Sequence, residues 1–232
     1  MEVFNFSHIG KRNYQEDAFF IHENENLFIV CDGVGGSANG AKASLSVVET
    51  IEREFEKYDQ VLNEQRLIEM IRYSQEYLHE ISVRENIATT IALLYLKGNT
   101  AHTVHLGDSR VYHIRVSDNY CWTTKDHSVV QELYDAGVLV SECQVKEHPM
   151  RNRITKAISS SSKIELPEIQ KIPDLQDGDL FMICTDGVLE SYDNAAILTL
   201  FKKNQIQDAW RQLSDHCKAN SKDNSTCILI KI

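Results

Sequence analysis

Leu27-Phe28-Ile29-Val30-Cys31-Asp32-Gly33-Val34-Gly35-Gly36 is the stretch on which the fold turns. Its apolar run, halted by an acid and a glycine, reads as a buried strand that ends in a turn. The design recurs. Val104–Leu106 runs into Gly107-Asp108-Ser109-Arg110, and Leu180–Cys184 into Thr185-Asp186-Gly187. Asp223-Asn224-Ser225-Thr226 leads into Cys227–Ile230, and Glu16-Asp17 stands ahead of another apolar pair. Asp is common in turns, so one such residue carries little. Asp32, Asp108, Asp186 and Asp223, each at the end of a separate strand, form a set.

Between these strands the periodicity is helical. Gly40 to Tyr58 carries Ala43, Val47, Ile51 and Phe55 at intervals of four, and Asn63 to Glu85 carries Leu67, Ile71, Ser74, Leu78 and Ile81 along one stripe. Thr89–Leu96 and Thr100–Leu106 predict a hairpin about Gly98-Asn99, and Arg110–Val116 and Asn119–Thr123 another about Ser117-Asp118. Asp126 is the expected N-cap of a helix reaching Ala136 and stopped by Gly137. Glu168–Ile172, Asp179–Cys184 and Cys227–Ile230 read as strands, and Asn194–Lys203 and Ile206–Ala219 as helices. Strands arrive in antiparallel-looking runs and helices in pairs. That pattern predicts an α+β fold, with sheets packed together and helix pairs outside.

The 232 residues suit one domain, and 42% hydrophobic with 25% charged residues is enough to bury a sizeable core. No linker or repeat divides the chain; Pro149, Pro167 and Pro173 cluster together, and Ser159–Ser162 is too short to separate domains. The net charge of −10 repels phosphate backbones, so nucleic acid and anionic membranes are not expected partners. No run reaches 18 apolar residues and the N-terminus has no signal-peptide pattern, so a cytoplasmic location is expected. Cys31, Cys121, Cys143, Cys184, Cys217 and Cys227 form no CxxC pair and read as reduced thiols, several of them buried.

Carboxylates gathered at one rim of a sheet repel one another unless cations sit among them. Hard oxygen donors without His or Cys suit Mg²⁺ or Mn²⁺, and glycines let a backbone carbonyl approach a metal. On residues alone, a divalent-metal site and ordinary turn chemistry fit equally.

The order of the motifs breaks that tie. Arg12-Asn13-Tyr14-Gln15-Glu16-Asp17 and Asp32-Gly33-Val34-Gly35-Gly36 resemble the first two motifs of the metal-dependent (type 2C) serine/threonine protein phosphatases, in the form of the bacterial branch. Gly40 with Ala43-Ser44, Ala88-Thr89-Thr90, Gly107-Asp108-Ser109-Arg110, Thr124-Lys125-Asp126-His127-Ser128, Asp177-Gly178-Asp179, Thr185-Asp186-Gly187 and Asp223-Asn224-Ser225-Thr226 continue it in order. The likeness spans roughly Ile9 to Ile230.

The resemblance implies a four-layer α-β-β-α sandwich with a central pair of mostly antiparallel sheets. It implies a single domain over 1–232 with a flap at about 137–160, and two core Mn²⁺ or Mg²⁺ ions. Asp32 would bridge them, the Gly33 carbonyl would ligate one, and Glu16, Asp186 and Asp223 would complete the coordination of the second. Asp108 with Asp186 would hold a third ion, and Arg12 would grip the substrate phosphate. The implied reaction is hydrolysis of phosphoserine and phosphothreonine in proteins by a metal-activated water, without a phosphoenzyme. The implied setting is a monomer opposing a cognate kinase.

Two departures stand out. Val34 occupies the place where eukaryotic relatives often carry a His as leaving-group acid, leaving His127 or His148 as stand-ins only if the fold brings one close. Glu190 stands where relatives frequently have Asp. Within the flap, Arg151, Arg153 and Lys156 could attract a phosphorylated loop, and the same stretch also reads as a solvated loop. The alternative function is a catalytically weak pseudo-phosphatase that binds phosphoproteins; no acidic ligand is missing here.

Overall fold

Leu27–Val34 is apolar without alternation because both of its faces are covered. Leu27, Ile29 and Cys31 pack toward a pair of helices, and Phe28 and Val30 toward a second sheet, all fully buried. In the computed structural model, residues 1–22, 24, 26–35, 38–57, 62–82, 85–161 and 163–232 are described. Gly36, Tyr58 and Ser162 of the readings above, with Val83 and Arg84 of the second helix, lie outside them.

The chain runs β1 (Glu2–His8), β2 (Asp17–His22), β3 (Leu27–Val34), α1 (Ala38–Glu56), α2 (Glu64–Ile81), β4 (Ala88–Thr89), β5 (Ile91–Lys97), β6 (Thr100–Leu106), β7 (Arg110–Arg115) and β8 (Tyr120–Thr123). It continues through α3 (Val129–Asp135), α4 (Glu142–Glu147), β9 (Ile158–Ser159), β10 (Glu168–Pro173), β11 (Leu180–Cys184), α5 (Asp186–Leu189), α6 (Asn194–Lys203), α7 (Ile206–Asn220) and β12 (Ser225–Lys231).

Among the described residues one sheet has the order β1-β12-β11-β7-β8 and the other β10-β6-β5-β3-β4-β9, with β2 also paired to β3. All the strand pairs are antiparallel. Between the sheets, Phe28, Val30 and Leu94 meet Phe181, Ile183 and Ile228. Outside the second sheet, Val47, Ile51, Leu67 and Ile71 of α1 and α2 close one core; outside the first, Ile197, Phe201 and Leu213 of α6 and α7 close the other. The α-β-β-α layering expected from the sequence is present.

Local readings differ from the structure where a long-range partner intervenes. Asp126 does not cap α3, because Arg110 takes both of its carboxylate oxygens at 2.6 and 2.7 Å; Ser128 Oγ instead accepts the Gln131 N–H. The strand expected over Thr89–Leu96 breaks at Thr90, whose amide donates to the Asp32 carbonyl at 2.8 Å. Strand β1, absent from the sequence reading, exists through its register with β12, from Glu2↔Lys231 to His8↔Ser225. Helix α4, also unread, starts at Ser141, whose hydroxyl accepts from the Gln144 N–H. All six cysteines are free. Among the described residues no helix is long and apolar enough to cross a membrane.

Asp179, fully buried at the start of β11, receives two bonds from Arg115 (2.6 and 2.8 Å), one from the Gln176 N–H (3.0 Å) and one from His113 (3.0 Å). Replacing it with Ala strands these donors. Leaving a buried donor without an acceptor costs about 1–3 kcal/mol, so Asp179→Ala is expected to lower Tm by roughly 4–10 °C in a thermal scan.

Candidate metal centre

The acidic strand ends converge. Asp32 from β3, Asp108 from the β6–β7 turn, Asp186 at the start of α5 and Asp223 ahead of β12 line one cleft of about 130 Å³, together with Arg12, Glu16 and Gly33. Every residue expected at the site is therefore brought to it. Among the described residues that line it, none is His, Cys or Lys, and Arg12 is the only cation.

Each acid is placed by backbone. Antiparallel pairing of β2 with β3 sets Asp17 opposite Asp32, and the Gly33 N–H donates to the Glu16 carbonyl at 3.1 Å. Thr90 Oγ1 accepts the Asp32 N–H at 3.0 Å and lies 2.6 Å from Ser109 Oγ, so one hydroxyl ties the Asp32 strand to the Asp108 turn. Gly107, ahead of Asp108, has φ +114 and lies so close to Thr90 that a Cβ would sit 2.5 Å from its methyl. At Gly187 a Cβ would fall 1.9 Å from the Asn224 carbonyl, so the loops carrying Asp186 and Asp223 meet only because this residue is glycine.

Asn224 acts as a clasp. Its Oδ1 accepts the Glu16 N–H at 2.7 Å, and its Nδ2 donates to the carbonyls of Ile9 (2.8 Å) and Tyr14 (3.0 Å). This pins the N-terminal loop carrying Arg12 and Glu16 beside Asp223, to which the Arg12 guanidinium is bonded. Glu190 Oε2 accepts the Lys222 N–H at 2.7 Å, giving that departure from the motif a place in holding the Asp223 loop. Sequence reasoning misses these supporting residues as site components. Thr90 and Asn224 stand inside recognisable motifs, but nothing local shows that their side chains bond elsewhere.

Charge crowding dominates the electrostatics. Burial first, and then Asp186, Asp17 and Asp108, push the Asp32 carboxyl well above the usual carboxylate range. Burial and Asp186 do the same to Asp108. Asp186 is pushed up to about 6 by burial and Asp223, and Asp17 to about 7 chiefly by burial. Asp186 Oδ1 is buried with no hydrogen-bond partner. Mutually repelling oxygens, one of them orphaned, fit divalent cations that prefer oxygen donors.

His127 and His148 do not line the cleft, so neither stands in for the acid absent at Val34. Of Arg151, Arg153 and Lys156, Arg151 reaches a groove that shares Asp108, Asp186 and Asp223 with the cleft and is rimmed by Lys146 and Lys222 as well. Arg153 and Lys156 line neither.

Comparison with known proteins agrees with this geometry. A family model described as protein phosphatase 2C matches residues 6–226. A protein phosphatase 2C-type protein of Streptococcus pyogenes is 32% identical over 201 residues, 82% of this chain and 79% of that one. Protein phosphatase PhpP of Streptococcus pneumoniae is 27% identical over 85% of this chain and 82% of its own. The structure of the S. agalactiae serine/threonine phosphatase superposes with a TM-score of 0.88 at 26% identity, covering 100% of this chain and 99% of that one. With its acids gathered in one cleft and the match running through nearly all of its length, the chain belongs to the protein phosphatase 2C family.

Proposed function

We propose that the chain is a protein serine/threonine phosphatase that hydrolyses phosphoserine and phosphothreonine directly with water. The observation that carries this reading is the convergence of Asp32, Asp108, Asp186 and Asp223 with a single arginine. Two Mn²⁺ or Mg²⁺ ions would be held by Asp32, the Gly33 carbonyl, Glu16, Asp186 and Asp223, with Asp108 and Asp186 serving a third; when bound they supply Lewis-acid charge and an ionised water.

The chain's own residues do the rest. The Arg12 guanidinium, half-exposed at the cleft wall, offers a planar fork to two phosphate oxygens and offsets their charge in the transition state. Asp223 orients it beforehand. Thr90, Ser109 and Asn224 hold the acids in position, so little reorganisation is needed during reaction. With an ionised water supplied by such ions, the reading calls for no nucleophilic side chain and no phosphoenzyme. The departing Ser or Thr oxygen takes its proton from water, since Val34 supplies none.

The substrate is a phosphorylated protein made by a Ser/Thr kinase. We take the enzyme to be a cytoplasmic monomer, one catalytic domain over 1–232 with its flap at 137–160, and without nucleic-acid or membrane partners. The full acidic set gives the pseudo-phosphatase alternative no support. Turnover of a phosphothreonine peptide with Mn²⁺, and its loss with chelator, tests the reading. Arg12→Ala is expected to lower kcat/KM by about 10²-fold, the scale set by losing one charge-stabilising donor group. An unchanged kcat/KM would remove Arg12 from phosphate binding.

A further inference from the structure

Outside the cleft, His105, His127 and Glu168 bring potential ligand atoms within 4.8 Å of one another. The hydrogen bonds show what this group does. The Gly107 N–H, which can only donate, points at His127 Nδ1 at 3.0 Å. That nitrogen is therefore unprotonated, and in the neutral ring the proton sits on Nε2, which donates to Glu168 Oε1 at 2.9 Å. A metal on Nε2 would need the opposite tautomer, whose Nδ1–H would face the Gly107 N–H. The cluster is thus built as a clamp rather than a metal site.

The clamp has two ends. The His127 N–H donates to the Gly107 carbonyl at 2.8 Å, so both polar groups of Gly107 are held by one residue. On the other side the Thr155 N–H donates to the His127 carbonyl at 2.8 Å, and Val129 N–H to the Arg153 carbonyl at 2.9 Å. This returning strand carries Asn152 and Ile154 into the cleft. The His127 ring is buried and stacked on His105, with centroids 4.6 Å apart and planes 4° from parallel.

We propose that His127 is a positioning residue that fixes the Asp108 turn through its Nδ1 acceptor and couples that turn to the returning strand of the flap. The proposal rests on the reading of Asp108 as a metal ligand, and goes beyond it by assigning the residue that places this ligand and links it to the flap.

The test compares Mn²⁺ binding and trypsin cleavage after Arg151 and Arg153 in wild type, Asp108→Ala, His127→Ala, His127→Gln and His127→Asn. Asn Oδ1 can take the place of Nδ1 and accept the Gly107 N–H, but cannot reach Glu168; the longer Gln cannot copy Nδ1. His127→Ala and His127→Gln should lose about 10–100-fold in the weakest Mn²⁺ affinity, as Asp108→Ala does, and be cleaved faster in the flap. His127→Asn should follow wild type in both readouts. The proposal is overturned if His127→Ala binds Mn²⁺ and resists trypsin like wild type, or if His127→Asn behaves like His127→Ala. An unfolded His127→Asn, seen by circular dichroism, also overturns it, because that variant keeps the acceptor. If Asp108→Ala binds Mn²⁺ like wild type, the ligand reading of Asp108 fails instead, and the order of trypsin sensitivities still decides the clamp.

Discussion

Asp32→Asn is expected to lower Mn²⁺-dependent turnover of a phosphothreonine peptide by about 10³-fold or more, equivalent to ~4 kcal/mol of transition-state stabilisation. The same substitution should raise the Tm of the metal-free protein. Both effects have one origin. Asp32 is buried among Asp186, Asp17 and Asp108, so its charge is costly unless cations share the cleft. Asn has nearly the same shape and keeps the main-chain bonds to Thr89 and Thr90, but brings no charge to bind a cation. A gain of about 3 °C or more in chelator corresponds to roughly 1 kcal/mol of relieved repulsion in a chain of this size. Peptide turnover equal to wild type would exclude Asp32 from the reaction. A metal-free variant less stable than wild type would show that crowding is not what strains the cleft.

Metal-free protein should become less stable between pH 6.5 and 8, and Mn²⁺ should restore the loss. The sign follows from the raised acids. Asp17 is pushed up to about 7, and Asp32 and Asp108 well above the usual range, whereas unfolded carboxylates ionise near pH ~4. The folded chain therefore carries extra protons in this window, and its stability falls as pH rises and they leave. His8, His102 and His105, held low chiefly by burial, act in the opposite sense until their unfolded counterparts have lost their protons, near pH ~7.5, and so offset part of this loss. Each extra proton held by the folded chain is worth ~1.4 kcal/mol for every tenfold fall in proton activity, and Asp17 loses its own within this window, so Tm in chelator is expected to be about 2 °C lower at pH 8 than at pH 6.5. At pH 8, Mn²⁺ at 100 times its Kd should add about 2.7 kcal/mol. A metal-free Tm that rises across this window would contradict the assignment.

The two helical stripes, the late helices and the strand ends are legible in the sequence because their signals are short-range. Asn194–Lys203 is predicted to the residue, since the period of its apolar positions and its flanking polar residues lie within one stretch. The start of α3 is misplaced, because both Asp126 and Ser128 are good caps and only Arg110, sixteen residues away, removes Asp126 from the choice. Strand β1 escapes notice because Glu2–His8 is mostly half-exposed and gains its partner more than 200 residues later in β12.

At the site, the sequence by itself determined which residues are acids, that they follow apolar runs, and to which family their order belongs. Tertiary structure alone decided that they share one cleft, that their crowding raises Asp32, Asp108, Asp186 and Asp17, and that Thr90, Asn224 and His127 hold the loops. The physical reason is range. Burial and strand endings are written in neighbouring residues, whereas repulsion between Asp32 and Asp186, or a bond from Asn224 to the Ile9 carbonyl, exists only once chain segments far apart in sequence have been packed together.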